Sequence, residues 1–463
     1  MIILGTNSIK DTGYDVANSC RFNSGSSDYL QWNSSPAGNR QKFTFSIWFK
    51  RAKLGVTQVL ASASYSGSDE GYLYISSGDT LEWDSTNSGD GDMFSSMKLR
   101  DTSAWYHLVW SVDTTQASAG NRMKFYLNGT QMTAWSTETQ PNVNQSLYWN
   151  VGGTYYPYIG RRHSGDYFDG YMAEVVQVNN AQLAADSFGE FDDSGIWKPL
   201  ESVADLTFGD TGYYLNFQDS SALGNDVSGE NHDWTSNNLT AIDQSTDTCT
   251  NNAATWNSLY DASNLSYAQG NTEISCAADG WFESGATIGI STGKWYFEIK
   301  CTLGSGTYSS ESIKFGIKNS EDINDGSGEV SQNNGNFYQA DGNSGNNGSL
   351  SGVGTFATFT TGDIVGCAVD MTNRKIYYHK NGTYINSGNP STGSNGFDIS
   401  SSFNFVLPTI SMYESGTKGE VNFGSPSFAI SSGNQDADGF GNMEFAVPSG
   451  YFCLNSKNLA EYG

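Results

Sequence analysis

The sequence predicts an all-β protein made of two tandem antiparallel β-sandwiches joined by an ordered polar connector. Three observations support this prediction. Apolar segments are short and alternate with polar residues, which is the period of a half-buried strand. Glycine is abundant (53 of 463 residues), proline is scarce (8) and aromatic residues form 14% of the chain, which favours many short strands joined by tight turns. The best helical stripe, Ala181–Phe188, covers only about two turns.

The first sandwich is predicted over residues 1–197. Short apolar segments are regularly spaced there, and turn sequences such as Asn128-Gly129 and Gly152-Gly153 separate them. The segments are Tyr29–Trp32, Phe43–Phe49, Gln58–Ala61, Tyr72–Ile75, Tyr106–Val112, Lys124–Leu127 and Gly170–Val178. This pattern predicts antiparallel strands in two packed layers.

The connector is predicted over residues 198–262. This stretch is polar, rich in Gly and Asn, and is expected to hold one or two strands, one of them in GYYLNFQD (Gly212–Asp219). Its alternating pattern favours ordered structure over a flexible linker.

The second sandwich, with a C-terminal extension, is predicted over residues 263–463. Its centre is the strand Gly293–Cys301 and the hairpin Gly362–Ile385, both of which alternate apolar and polar residues. The hairpin is expected to turn at Met371–Arg374 and again at Lys380–Gly382. Asn-Gly in the second turn supplies the positive φ angles that tight hairpins need.

The two blocks resemble two known families. The first resembles the LamG/concanavalin A-like lectins at SDYLQW (Ser27–Trp32), KFTFSIWFKR (Lys42–Arg51), AWYHLVWSVD (Ala104–Asp113), FYLNGTQM (Phe125–Met132), YIGRR (Tyr158–Arg162) and FDGYMAEVVQVNNAQLAADSFGEF (Phe168–Phe191). The second resembles the SPRY (B30.2-type) family at GKWYFEIK, KFGI, GDIVGCAVD and VNFG (Val421–Gly424). The resemblance implies a concanavalin A/LamG-like jelly roll followed by a SPRY-like sandwich, and such folds usually bind a partner.

The whole chain also resembles a group of tailed-phage virion proteins. The shared segments are SFGEFDDSGIWKP (Ser187–Pro199), LGNDVSGENHDWTSNNLT (Leu223–Thr240) and the C-terminal Gly441–Gly463. This resemblance implies a bacteriophage virion protein, in a tail fibre or tail-associated adhesin, that binds host-surface glycans. Its implied partners are other virion proteins and host cell-surface polysaccharide, and a homotrimer is expected by analogy with phage fibres.

Two alternatives remain open beside the adhesin hypothesis. One is a capsid decoration, head-fibre or connector protein that binds only other virion proteins. The other, ranked below it, is a polysaccharide depolymerase. An adhesin should bind intact host cells, a structural part should be inert to cell-surface glycans, and a depolymerase should release reducing sugars.

The charge of the chain restricts its partners. It has 23 basic and 49 acidic residues, a net charge of −26. Such a field repels phosphate backbones and anionic membranes, so we expect no nucleic-acid partner. No apolar run approaches the roughly 18 residues needed to span a bilayer, and the N-terminal sequence lacks the pattern of a signal peptide. We therefore expect a protein made in the host cytoplasm and carried in the virion, without membrane insertion.

The sequence predicts no enzyme. The GISTG stretch (Gly289–Gly293) matches G-x-S-x-G, but a strand follows it where a nucleophile elbow needs a helix. Concanavalin A-like glycosidases place several carboxylates on one strand face, whereas MAEVVQV and WYFEIK hold only Glu174 and Glu298. His107, within a strand, is expected to be structural, and His379, beside a hairpin turn, is expected to be solvated.

Candidate glycan-binding residues combine aromatic rings with polar groups, because sugar C–H faces pack on rings and sugar hydroxyls bond to amides and carboxylates. The first group follows one aromatic run and consists of Tyr155, Tyr156, His163, Asp166 and Tyr167. Tyr158, within that run, is expected in the core. The second group is Phe337 and Tyr338, in the stretch Asn333–Asn347, which we interpret as a long polar loop suited to binding.

No cofactor is required by the sequence, and calcium is the one plausible ion, since it prefers hard oxygen ligands. The loop spacing of Asp436, Asp438, Asn442 and Glu444 could wrap a cation, although it departs from the EF-hand pattern. The alternative is a solvated acidic turn. The LamG resemblance adds Asp28 and Asp169 as weaker candidates.

The six cysteines are scattered, and no pair has the C-x-x-C spacing of a zinc site. Cys301 and Cys367 lie in apolar strand segments and are interpreted as small buried hydrophobic residues. Cys249 and Cys276 lie in polar surroundings and could pair, which the sequence leaves open.

Overall fold

The computed structural model describes residues 13–33, 35–65, 69–260, 264–307, 311–322 and 328–463. Two compact units divide the chain, one ending at Thr250 and the other covering Asn251–Gly463. Regular structure is almost entirely β, and the described residues contain one α-helix, α1 (Ser456–Tyr462). The predicted all-β class is confirmed. No helix in these ranges has the length and hydrophobicity to cross a membrane.

The first unit contains eighteen described strands, most of them short. In chain order they are β1 (Ser19–Phe22), β2 (Tyr29–Gln31), β3 (Lys42–Arg51), β4 (Gln58–Tyr65), β5 (Asp69–Ile75), β6 (Thr80–Ser85), β7 (Asp92–Lys98), β8 (Trp105–Asp113), β9 (Met123–Leu127), β10 (Thr130–Gln131), β11 (Trp135–Thr139), β12 (Tyr156–Ile159), β13 (Gly170–Asn179), β14 (Gly189–Phe191), β15 (Trp197–Pro199), β16 (Tyr213–Leu215), β17 (Thr235–Asn237) and β18 (Gln244–Ser245).

Sixteen of these strands form a sandwich of two eight-stranded sheets, and β14 and β15 form a separate two-stranded sheet. One sheet has the order β10-β9-β8-β3-β13-β1-β18, with β16 also on β13, and the other has the order β11-β7-β6-β5-β4-β12-β2-β17. The long central pairs are antiparallel. Trp83 of one sheet and Trp110 of the other meet between the layers with ring centroids 4.4 Å apart. The core is therefore aromatic and lies between two sheets, as the sequence predicts.

The best helical candidate in the sequence, Ala181–Phe188, does not form an α-helix. The structure has only a short 3₁₀ turn there, at Ala185–Ser187. The hydroxyl of Thr44 donates to the carbonyl of Ala181 at 2.9 Å and accepts the amide of Leu183 at 2.8 Å. Because a neighbouring strand satisfies these backbone groups, the segment has no need of helical hydrogen bonds.

The structure revises the role of the predicted connector. Strands β16, β17 and β18 of this segment pair with β13, β2 and β1 of the first sandwich. Leu215, Phe217 and Trp234 are buried in its core. Burial of these apolar side chains explains why a stretch that is polar overall completes the sandwich as far as Thr250.

His107 is a structural residue, as expected. Its ring stacks on Trp48 with centroids 4.5 Å apart, and its Nδ1 accepts the indole N–H of Trp197 at 2.9 Å. Nε2 therefore carries the proton of the neutral ring and donates to Ser46 at 2.9 Å. Burial lowers the pKa of His107 to about 3.

The second unit contains fifteen described strands. In chain order they are β19 (Leu265–Ala268), β20 (Glu273–Cys276), β21 (Phe282–Gly285), β22 (Lys294–Thr302), β23 (Ile313–Asn319), β24 (Gly335–Gln339), β25 (Ser344–Asn346), β26 (Ser349–Leu350), β27 (Ile364–Asp370), β28 (Lys375–Lys380), β29 (Thr383–Tyr384), β30 (Phe397–Asp398), β31 (Val406–Met412), β32 (Lys418–Asn422) and β33 (Phe452–Cys453).

These strands form a second sandwich, of nine and six strands. The larger sheet has the order β19-β20-β32-β22-β27-β28-β29, with β30 on β28 and β33 on β22, and the smaller has the order β21-β31-β23-β24-β25-β26. The predicted hairpin is confirmed, with β27 and β28 joined at residues 371–374. Asn381 and Gly382 adopt φ angles of 47° and 81° in its second turn, as the Asn-Gly sequence predicts.

The expectation that His379 is solvated is wrong, because the side chain is 1% exposed. Its Nδ1 accepts the amide of Gly382 at 3.1 Å, so Nε2 carries the proton and donates to Tyr296 at 2.6 Å. Tyr296 in turn donates to Glu298 at 2.7 Å. The turn is exposed, but the strand face of His379 packs inward, and burial lowers its pKa to about 3.

Glu298 also holds the C-terminal extension on the second sandwich. Its carboxylate accepts the backbone amides of Glu444 at 3.0 Å and Phe445 at 2.8 Å. Strand β33 adds a parallel pairing to β22 at Trp295 and Tyr296. A carboxylate that is buried but accepts several donors has a structural role here.

Candidate functional site

The outer face of the second sheet of the first sandwich carries a set of tyrosines. In β5, Leu73 and Ile75 are buried in the core. Because side chains alternate along a strand, Tyr72 and Tyr74 lie on the opposite, outer face. Both are half-buried, so part of each ring is open to solvent.

Strand β6 places two carboxylates beside these rings. Tyr72 lies directly opposite Asp84, and Tyr74 lies opposite Glu82. The phenol of Tyr72 donates to Asp84 at 2.8 Å, and that of Tyr74 donates to Glu82 at 2.6 Å. Burial, followed by these carboxylates, raises the pKa of both phenols well above the usual value. The rings are therefore held neutral and in fixed positions.

A hairpin after β12 packs a second group of tyrosines around one guanidinium. The Arg161 side chain lies over the rings of Tyr29, Tyr158 and Tyr167, with its central carbon 4.5, 5.2 and 5.1 Å from the ring centroids. Its Nε donates to the carbonyl of Arg162 at 2.7 Å. Cation–π contacts of this kind fix the three rings relative to the hairpin. Tyr158 is buried, as expected, but it lies beneath Arg161 on the outer side of the sheet and not in the core, whereas Tyr29 and Tyr167 are half-buried.

Arg162 joins this hairpin to β5. Its guanidinium lies 2.7 Å from Asp166 and 3.5 Å from Glu70, and over the Tyr72 ring at 4.8 Å. Tyr156 lies on the same side of β12 as Tyr158 and opposite Ser64 of β4. We name the half-buried rings on this outer side the tyrosine face: Tyr29, Tyr72, Tyr74, Tyr156 and Tyr167.

The structure places the first group of predicted residues at or near this face. Tyr156 and Tyr167 belong to it, and Asp166 pairs with Arg162 beside it. Tyr155 lies at its edge, where its phenol donates to Asp69 at 3.2 Å and its ring contacts Tyr65 at 5.2 Å. His163 is exposed in the hairpin turn.

The sequence prediction missed Tyr29, Tyr72, Tyr74, Glu82 and Asp84. A signal was present, because GYLYI and LEWD alternate apolar and polar positions in adjacent segments. Two such segments that pair in a sheet place their polar positions on one face. Recognising that required the strand register, which the alternation alone does not give.

The prediction that Phe337 and Tyr338 lie on an exposed loop is wrong. They are 1% and 0% exposed and belong to β24. The Tyr338 ring packs 5.1 Å from Phe359 in the core. The neighbouring Asn336 is buried as well, because its amide donates to Asn346 at 3.1 Å and to the carbonyl of Asp398 at 2.9 Å. The strand therefore contains polar residues that bond to each other inside the sandwich, and its polar composition led to the prediction of a loop.

The four residues of the predicted calcium loop have separate protein partners. Asp436 accepts the amides of Asp438 and Phe440 with one oxygen, each at 3.0 Å, and the Cys453 amide with the other. Glu444 accepts the amide of Ser431 at 2.7 Å, and the carbonyl of Asn442 accepts from Asn422. Among the described residues, no group of three or more His, Cys, Asp or Glu side chains is placed to hold a metal ion.

The two weaker calcium candidates hold the loop between β1 and β2. Asp28 accepts the amide of Asn23 at 2.9 Å, and Asp169 accepts the hydroxyl of Ser24 at 2.6 Å. Burial raises the pKa of Asp28 to about 6.

All six cysteines carry free thiols, so Cys249 and Cys276 are not paired.

Comparison with protein families identifies both sandwiches. Residues 24–186 match the model of the concanavalin A-like lectin/glucanases superfamily, and residues 294–426 match that of the SPRY domain. The chain therefore contains a LamG/concanavalin A-like domain and a C-terminal SPRY domain. The tyrosine face lies within the first of these ranges. Comparison with curated proteins gave no match.

Solved structures similar to this chain include two SPRY domains and a pentraxin. The SPRY domain of human HERC1 is 19% identical, covers 32% of this chain and 86% of its own, and has a TM-score of 0.25. A heptameric SAP-like pentraxin from Limulus polyphemus is 16% identical, with coverages of 37% and 80% and a TM-score of 0.27. A human SPRY domain is 17% identical, with coverages of 34% and 94% and a TM-score of 0.25.

Proposed function

We propose that this chain, a concanavalin A-like domain followed by a SPRY domain, is a bacteriophage virion protein that binds host-surface glycans. Its place would be a tail fibre or a tail-associated adhesin. The segments Ser187–Pro199 and Leu223–Thr240, which resemble tailed-phage virion proteins, support the virion assignment. Other virion proteins and host polysaccharide are the proposed partners, and a homotrimer is the proposed assembly by analogy with phage fibres.

The tyrosine face is the observation on which the glycan proposal depends. Sugar rings present C–H faces that pack on aromatic rings, and their hydroxyls need acceptors beside those rings. Tyr72 and Tyr74 offer half-buried rings, and Glu82 and Asp84 offer carboxylate oxygens next to them. The combination of flat apolar surface and adjacent acceptors fits a saccharide.

The geometry of the face also favours binding because its side chains are fixed before a ligand arrives. Cross-strand hydrogen bonds hold Tyr72 and Tyr74, and Arg161 holds Tyr29 and Tyr167. A pre-organised site loses less conformational entropy on binding. Weak contacts at one site would gain avidity when many copies sit on one particle.

A cell-binding assay with the full chain tests this proposal. The probe is intact cells of a host that the phage infects, and the variant is Tyr72→Ala combined with Tyr74→Ala. Loss of two stacking rings should weaken binding by about tenfold or more. Tyr413→Ala, a half-buried tyrosine of the second sandwich, is the matched control and should bind like the wild type. Circular dichroism confirms that each variant is folded.

The proposal fails if the double variant, correctly folded, binds host cells as well as the wild type does.

Calcium at the loop Asp436–Glu444 is an additional proposal. The same cell-binding assay with chelator tests the calcium proposal. Loss of binding would support a bound calcium ion, and unchanged binding would contradict the calcium proposal. Unchanged binding would leave the tyrosine face as the glycan site.

A second candidate function, a structural part that binds only other virion proteins, is favoured by one observation. The hairpin of β14 and β15 exposes 51% of Phe191 and 41% of Ile196 at the surface. Exposed apolar side chains on a small hairpin are typical of protein contacts. Phe191→Ser with Ile196→Ser should then reduce incorporation into virions, while binding of the purified protein to cells stays unchanged.

A further inference from the structure

We infer that the part of the tyrosine face at Tyr72 and Tyr74 selects uncharged or amino-substituted sugars and rejects acidic ones. This inference rests on the proposed glycan-binding function and concerns the same face. It depends on three carboxylates, Glu82, Asp84 and Asp92, which we name the carboxylate row. Their position, their partners and their charge balance each contribute to the argument.

The carboxylate row lies beside Tyr72 and Tyr74 on the outer side of the sheet. Glu82 and Asp84 are two residues apart in β6, so they point to the same side, about 7 Å apart along the strand. The antiparallel pairing of Trp83 with Met93 places Asp84 opposite Asp92 of β7. Asp84 and Asp92 are thus neighbours across β6 and β7, and Glu82 is the next outward-facing residue of β6.

The hydrogen-bond partners of the row are neutral. Glu82 accepts from the Tyr74 phenol at 2.6 Å and from the Thr80 hydroxyl at 2.5 Å, and Asp84 accepts from the Tyr72 phenol at 2.8 Å. A carboxylate has about four lone-pair positions. Glu82 and Asp84 therefore retain capacity to accept hydrogen bonds from a ligand.

The row forms no ion pair with the described basic residues. Its three carboxylates take part in none of the ion pairs within 4.0 Å that the described residues form. Two arginines lie on this side of the sheet. Arg162 lies over Tyr72 but pairs with Asp166 and Glu70, and Arg161 lies over the rings of Tyr29 and Tyr167. The row keeps its negative charge at the position where a sugar would stack.

This charge decides which sugars can bind. A uronic acid, a sialic acid or a sulfated sugar would bring a second negative charge beside the row, where like charges repel. The chain as a whole adds to the repulsion, with a net charge of −26. A neutral sugar donates its hydroxyls without this penalty, and an amino sugar gains a charge-assisted hydrogen bond.

A glycan array tests the inference with the full chain at low salt. The array carries neutral, amino-substituted, uronic-acid and sialic-acid oligosaccharides. The variant is Glu82→Gln combined with Asp84→Asn, which keeps the shape and an acceptor oxygen for each tyrosine but removes two charges. Glu321→Gln combined with Glu201→Gln, both at exposed positions, also removes two charges and is the control for a change of net charge alone.

The wild type should bind neutral or amino-substituted glycans, and the double variant should bind acidic glycans about tenfold better than the wild type does. The control variant, Glu321→Gln combined with Glu201→Gln, should leave this preference unchanged. Wild-type binding of acidic glycans as tight as that of neutral ones would overturn this inference and leave the proposed function intact. Binding to no glycan on the array would overturn both.

Discussion

The phenol of Tyr74 on β5 donates a 2.6 Å hydrogen bond to the carboxylate of Glu82 on β6. The two residues lie directly opposite each other, next to the equivalent pair of Tyr72 and Asp84. Arg162 lies over the Tyr72 ring, and the Tyr72 and Tyr74 rings contact each other with centroids 4.9 Å apart. Because both phenols donate sideways to a neighbouring strand, the solvent-exposed part of each ring and the remaining carboxylate oxygens are left for a ligand. This arrangement is the centre of the proposed binding face.

The first prediction concerns the ionisation of Tyr74. Burial, followed by the hydrogen bond to Glu82 and its charge, raises the pKa of Tyr74 well above the ordinary tyrosine value of 10.0. Above about pH 10 the unfolded state loses the Tyr74 proton while the folded state keeps it. The contribution of Tyr74 to the free energy of unfolding therefore falls as pH rises above about 10. In an alkaline titration followed by tyrosinate absorbance, Tyr74→Phe should remove a component that ionises above the free-tyrosine range. A lost component near pH 10 would contradict the prediction.

The second prediction concerns acid stability. Burial lowers the pKa of His107 and His379 to about 3, from the ordinary histidine value of 6.5. Between these values the unfolded state binds more protons, so stability is lost as pH falls from about 6.5 towards 3, at about 1.4 kcal/mol per pH unit for each histidine. The nitrogen chemical shifts of both rings should remain those of neutral imidazole down to pH 4. Protonation of either ring above pH 6 in the folded protein would contradict the account.

The third prediction concerns Glu174, which is buried in β13 and accepts from the Tyr214 phenol at 2.5 Å. Burial raises its pKa from 4.5 to about 7. The folded state binds the proton more tightly, so this stability is present below about pH 4.5 and lost as pH rises through 7. Glu174→Gln should therefore stabilise the protein at pH 8 by about 3 kcal/mol, relative to its effect at pH 4.

Urea unfolding at the two pH values measures the effect of Glu174→Gln. The control is Glu138→Gln, at an exposed position of β11, which should change stability little at either pH. A Glu174→Gln effect that is the same at pH 4 and pH 8 would show that the carboxyl titrates normally in the folded protein.

The fourth prediction concerns Gly366 of β27. A Cβ atom at this position would lie 1.9 Å from Nε2 of the buried His379. Gly366→Ala must displace His379 and its hydrogen bond to Tyr296, so a loss of several kcal/mol is expected. Gly352→Ala, whose Cβ would meet only Thr355 at 3.7 Å, is the control and should melt like the wild type. Equal melting temperatures for the two variants would contradict the packing described here.

The fold could be predicted from the sequence largely because alternation and turn chemistry are local signals. Asn128-Gly129 and Asn381-Gly382 adopt the positive φ angles that their residue types favour. The boundary of the first sandwich could not be predicted, because β16 to β18 are short and pair only with distant strands. These strands belong to the first sandwich because Leu215 and Trp234 are buried in its core, and such long-range packing is not visible in local sequence patterns.

The candidate site was predictable in part. Tyr156 and Tyr167 stand in one aromatic run, so composition alone pointed to them. Tyr72 and Asp84 are brought together only by the register of β5 and β6, which local patterns do not specify. Phe337 shows the opposite error, since the polar residues around it pair inside the sandwich and give a buried strand the composition of a loop.

The most direct test of glycan binding at the tyrosine face is a nuclear magnetic resonance titration of the full chain. Tyrosine rings would be labelled with carbon-13 and the protein titrated with polysaccharide from the host surface. The account predicts shifts at Tyr72 and Tyr74, assigned by Tyr→Phe variants, and none at Tyr413. Shifts confined to tyrosines of the second sandwich, or no shifts at saturating polysaccharide, would contradict it.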